Sequence, residues 1–79
     1  MERGTVERFG LRTRLLAVRC EDHSYARFRW ADPNQPIEGD RIRWKMRGPT
    51  IMAYHNDRPV QLQDCKFGLT QVDALDGVV

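Results

Sequence analysis

The stretch that most restricts this chain is Asp40-Arg-Ile-Arg-Trp-Lys-Met-Arg47, where apolar and cationic side chains alternate without a break. A period of two puts successive side chains on opposite faces of an extended strand, whereas a helix would scatter the same residues around its circumference. Ile42, Trp44 and Met46 are therefore expected to face a core, and Arg41, Arg43, Lys45 and Arg47 to face solvent. A slip of one residue would reverse every one of these assignments. Tyr25-Ala-Arg-Phe-Arg-Trp30 repeats the pattern, with Ala26, Phe28 and Trp30 against Tyr25, Arg27 and Arg29.

Three further strands are predicted: Gly4 to Phe9, Arg12 to Glu21 and Thr50 to His55. Glu21-Asp-His-Ser24, Gly48-Pro49 and Asn56-Asp-Arg-Pro59 have the composition of turns, and Asp32 to Gly39, with two prolines, reads as a longer loop. Helical periodicity is nearly absent before residue 69. Residues 63–79 are expected to be a tail, either disordered or ending in a turn or two of helix between a Thr70 cap and a Gly77 stop. Five short antiparallel strands with tight turns predict an all-β class, a small barrel over residues 1–62 of the oligonucleotide-binding (OB) type. An SH3-like barrel is the alternative. Its core should contain Val6, Leu16, Val18, Phe28, Trp30, Ile42, Trp44 and Ile51, with Phe9 also inward; Tyr54 fits either face.

A length of 79 residues allows one domain. No apolar run approaches the roughly 20 residues of a membrane span, and the opening Met-Glu-Arg-Gly-Thr lacks a signal-peptide core. These features lead us to expect a cytoplasmic protein with two buried free thiols, Cys20 and Cys65, rather than a disulfide framework. Charge is uneven along the chain. Residues 1–54 hold eleven basic and seven acidic groups, whereas residues 55–79 hold two and four. Eleven of the thirteen basic residues are arginine, a planar cation suited to phosphates and to stacking.

Two segments are similar to the cold-shock domain, a five-stranded member of the OB class. Gly4-Thr-Val-Glu-Arg-Phe9 resembles that family's Gly-Thr-Val-Lys-Trp-Phe opening strand. Glu38-Gly-Asp-Arg-Ile-Arg-Trp44 with Gly48-Pro49 resembles its fourth strand and following turn. The resemblance covers about residues 3 to 62 and implies binding of single-stranded RNA or DNA through aromatics on strands two and three. At those positions the chain carries Arg14-Leu-Leu-Ala-Val18 and Tyr25-Ala-Arg-Phe-Arg-Trp30 instead of the family's Lys-Gly-Phe-Gly-Phe and Val-Phe-Val-His-Phe, and Arg8 replaces the first-strand tryptophan.

The candidate binding surface is thus cationic. Arg12, Arg19, Tyr25, Arg27, Arg29, Arg41, Arg43, Lys45 and Arg47 would form a face on which arginines hold phosphates and Tyr25 stacks a base. Arg14 shares the parity of the apolar face and is placed at an edge. The competing readings are a solvated outer face paired with Glu7, Glu21 and Glu38, or a protein-interaction module with an acidic partner, such as an accessory subunit of a bacterial or phage complex. A homodimer is compatible with either binding reading. Cys20, His23, His55 and Cys65 are zinc-ligand types, but only Cys20 and His23 are closely spaced, so no metal is expected. Ser24 beside His23 lacks an acid–base partner set, and no phosphate-cradling glycine loop is present. The expectation is a non-enzymatic binding protein without a cofactor.

Overall fold

The structure, a computed structural model, describes residues 1–48 and 50–79 and, for Thr50, the backbone alone. The expected Gly48-Pro49 turn lies partly outside the described residues. All-β character holds, with strands over 56% of the chain in a curled antiparallel sheet that forms a half-barrel. The strands number seven rather than five: β1 (Glu2–Phe9), β2 (Leu15–Cys20), β3 (Tyr25–Trp30), β4 (Arg41–Arg47), β5 (Thr50–His55), β6 (Arg58–Val60) and β7 (Leu62–Leu69). Their order across the sheet is β6-β5-β4-β1-β2-β3-β7. A five-residue helix, α1 (Gln71–Leu75), follows. No helix among the described residues is long and apolar enough to cross a membrane.

Both extra strands come from the region expected to be turn and tail. Asn56 and Asp57 take positive φ values of 49° and 66°, the conformation of a two-residue hairpin turn, and pair β6 back onto β5. β7 pairs with β3 through two register shifts, close to the positive φ values of Asp64 (50°) and Gly68 (69°). Such irregularities mask the period-2 signal in the sequence and twist an edge strand that would otherwise invite pairing. The second expected strand is shorter than Arg12 to Glu21, because residues 11–13 form a turn and Arg14 adopts a φ of 62°.

Alternation in β4 is as expected up to Trp44. Ile42 and Trp44 are fully buried beside Val6, Leu16, Val18, Phe28 and Trp30, with Phe9 and Ile51 packed at the margin. Met46 is corrected: it has the inward parity but is 52% exposed, because β4 runs past the end of the core. Ala53 points inward, which turns Tyr54 outward. Gly4 sits where β1 crosses closest to its neighbours, since a Cβ there would lie 2.3 Å from Val18 Cγ1 and 2.9 Å from the Arg19 carbonyl. Replacing Trp44 with alanine should cost about 3–5 kcal/mol through the cavity left behind, enough to unfold much of a chain this small. A thermal melt followed by circular dichroism checks this, and a nearly unchanged Tm would place Trp44 outside the core.

The long loop is tied to the ends of β3 and β4 by hydrogen bonds. Trp30 Nε1 donates to the Asn34 carbonyl at 2.7 Å, and the Ile37 amide donates to Asp40 Oδ2 at 3.0 Å. The same carboxylate lies 2.7 Å from Nε2 of the buried His55, whose ring packs edge-on against Trp30. Burial acts to raise the Asp40 pKa, but the Ile37 amide, the His55 hydrogen bond and the His55 charge outweigh it and hold the carboxyl below its ordinary 3.8. A depressed folded-state pKa adds stability above the unfolded value and loses it as pH falls through the folded one. Asp40→Asn should therefore lower stability by about 1 kcal/mol at neutral pH. The gap from the parent protein should close below the ordinary carboxylate range, as read by urea unfolding at both pH values.

Candidate anion-binding groove

Strand register decides which arginines meet. On β1, Thr5 stands between Arg19 of β2 and Arg41 of β4, and Arg3 stands opposite Arg43. Cross-strand partners share a face, so these five side chains lie together on the outer side of the sheet, away from Trp44 and Val18. With strands about 4.8 Å apart, the four guanidinium groups spring from a patch about 10 Å across. They line a groove of about 490 Å³. Two turns form its rims, Glu21 and His23 from the β2–β3 connection and Asn56 and Asp57 from the β5–β6 hairpin. His23, Asn56 and Asp57 all have positive φ, which fixes both rims in tight turns.

The charge in this groove is poorly compensated. Arg43 donates to Asp57 Oδ1 at 2.7 Å and lies over the Tyr54 ring, 5.4 Å from its centre. Arg3, Arg19 and Arg41 are in no ion pair among the described residues. Like charges directly across a ladder repel, as do Arg3 and Arg43 here. An anion with several oxygens would relieve that repulsion and accept forked guanidinium hydrogen bonds.

The other expected binding residues are dispersed. Lys45 and Arg47 are exposed farther along β4 on the same outer face. Arg12 lies in the 11–13 turn, where its amide donates to the Val79 carbonyl at 2.9 Å. Arg29 is 3.4 Å from Asp64, and Arg27 donates to the Asp76 carbonyl at 3.2 Å. Tyr25 is outward but half-buried, packed with Leu15, Leu69 and Leu75 against a second cluster of Ala17, Ala74 and Val78. The helix and the residues after it therefore cover the outer side of β2 and β3, where stacking on Tyr25 was expected. Arg14 is half-buried, stacks over Phe9 at 5.4 Å and donates to the Asp32 carbonyl at 2.7 Å, so it is a structural clamp.

Arg3 was missed because the first strand was expected to begin at Gly4. Its parity with Thr5 and Glu7, opposite Gly4 and Val6, is the signal that finds it. Both cysteines are free, Cys20 buried and Cys65 only half-buried. Burial pushes both thiols above their ordinary pKa, which keeps them protonated and weakly nucleophilic at neutral pH. No three His, Cys, Asp or Glu side chains converge as a metal site among the described residues. The hydroxyl and amide of Ser24 both donate to Asp22 Oδ1, at 2.6 and 3.0 Å, tying that serine into its own turn.

A groove short of negative charge should stabilise the fold when an anion enters it. Millimolar inorganic pyrophosphate is expected to raise the Tm of the parent protein at low salt, and to leave an Arg3→Ala/Arg41→Ala variant unmoved. Equal shifts in both proteins would mean that the anion acts elsewhere. No protein-family model, curated protein or solved structure matches the chain, and none identifies a cold-shock domain.

Proposed function

We propose that this chain is a non-enzymatic binding protein whose ligand is single-stranded RNA or DNA, held by its phosphates in the arginine groove. The observation that carries this reading is the convergence of Arg3, Arg19, Arg41 and Arg43 on one face, where Asp57 is their one ion-pair partner among the described residues and Glu21 the other carboxylate at the rim. Forked guanidinium groups suit phosphate oxygens, and phosphate contacts supply sequence-independent affinity. We read the half-barrel as a cold-shock-like variant on its Gly4–Phe9 and Glu38–Trp44 segments, with the ligand face moved from strands two and three to β1 and β4. Weak sequence preference follows, since the groove is built to meet phosphates rather than base edges. The cytoplasm, where RNA is abundant, is the compartment this reading favours.

A protein partner with an acidic surface is the competing ligand, because the same guanidinium groups fit carboxylates. Fluorescence anisotropy with labelled poly-U and poly-dT separates the two. The four groove arginines by themselves contribute about −2.8 to the salt slope on a single strand, so affinity should fall at least about fiftyfold between roughly 50 and 200 mM salt. Arg3→Ala/Arg41→Ala should flatten that slope by about 1.4. No binding of either polymer at the lower salt would overturn the nucleic-acid reading in favour of the acidic protein.

A further inference from the structure

Resting on that reading, we infer that the single strand runs along β4, from the arginine groove past Lys45 to Arg47, and that Tyr54 on β5 is the side chain on which its bases stack. Arg41, Arg43, Lys45 and Arg47 share the outer face of one strand, two residues apart. That repeat is about 6.8 Å, so the four cations form a ladder about 20 Å long. Such spacing is comparable with the phosphate repeat of an extended single strand. The groove supplies the first two rungs, and Lys45 and Arg47 continue the same line without an acidic partner among the described residues.

The two sides of the ladder differ. Towards β2 and β3 the outer face is closed: α1 and Val78 sit on Ala17 and Tyr25, and Arg27 and Arg29 already hold Asp76 and Asp64. Towards β5 it is open. The register sets Tyr54 opposite Arg43 and Met52 opposite Lys45, on the cationic face, with Met52 42% exposed. Tyr54 is half-buried with the Arg43 guanidinium above its ring, which makes a shelf of two flat groups beside the phosphate line. Bases turned towards β5 meet that shelf, because aromatic and guanidinium planes stack any base. Tyr25, the aromatic expected for this role, lies beneath the helix side of the sheet.

Oligo-dT of two, four and eight nucleotides, each carrying a 5′-phosphate so that phosphates equal nucleotides in number, titrated by anisotropy at low salt, tests the path. Affinity should climb steeply from two to four nucleotides and little beyond. Lys45→Ala/Arg47→Ala should flatten the salt slope by about 1.4, whereas Arg27→Ala/Arg29→Ala should leave it unchanged. Tyr54→Leu should weaken the four-nucleotide complex about tenfold, the loss of one stacked base, and Tyr54→Phe should restore it; circular dichroism confirms that each variant is folded. Saturation at two nucleotides, or a slope that responds to Arg27 and Arg29 instead of Lys45 and Arg47, would overturn the path. Equal affinities of the leucine and phenylalanine variants would overturn the stacking role. If the parent protein binds none of the oligonucleotides, the nucleic-acid reading fails and this inference with it.

Discussion

The contact on which the molecule depends is made across the inside of the sheet. Phe67 of the edge strand β7, which keeps 41% of its surface exposed, stacks on Trp44 of β4, 6.1 Å between ring centres, and meets Phe28 of β3 edge-on at 5.6 Å. Phe28 and Trp44 are themselves 5.4 Å apart in an edge-on pair. These rings come from both halves of the sheet, so they can touch only if the sheet curls. Burial of large aromatic surfaces drives that curl. Gly4 and the register shift between Val6 and Arg8 let β1, the middle strand, accept it.

Curling has an electrostatic consequence. Inner-face positions are consumed by the apolar core, and every second residue of β1 to β4 is left on the outer side. There the arginines divide according to what covers them. The C-terminal segment packs apolar residues and backbone carbonyls over β2 and β3, and its acceptors engage Arg27. Over the groove residues of β1 and β4 no such apolar cover is present among the described residues, and of the four groove arginines Arg43 alone is ion-paired there, with Asp57. Each rim carries its own local tie: Asp22 bonds Ser24 within the β2–β3 turn, and Asp57 accepts from Arg43 at the other side.

How much could be read in advance differs sharply between elements. β3 and β4 were legible because strict alternation leaves one way to place tryptophan and arginine together. The Thr70 cap was legible because a threonine oxygen accepting the Asp73 amide, here at 3.2 Å, is a purely local device. β6 and β7 were not, since a three-residue strand containing Pro59 and a strand broken by Asp64 and Gly68 carry no regular period. Of the expected cationic face, Arg19, Arg41 and Arg43 meet in the groove, and Lys45 and Arg47 stand farther along the same face of β4. Arg12, Arg27 and Arg29 do not join them, because their surroundings are set by segments distant in the chain.

The all-β class, the inward set of Trp30, Trp44, Ile42 and Phe28, and the outward cations of β4 were already fixed by the order of residues along each strand. Each of these follows from side-chain parity within a single strand, and parity is a local property of an extended backbone. It took the folded sheet to bring Arg3 and Arg19 beside Arg41 and Arg43, to cover Tyr25 and leave Tyr54 open, and to add the C-terminal residues as its last strand. Those outcomes depend on which strands become neighbours and in what register. Contacts between residues far apart in the chain set both, and no local period encodes them.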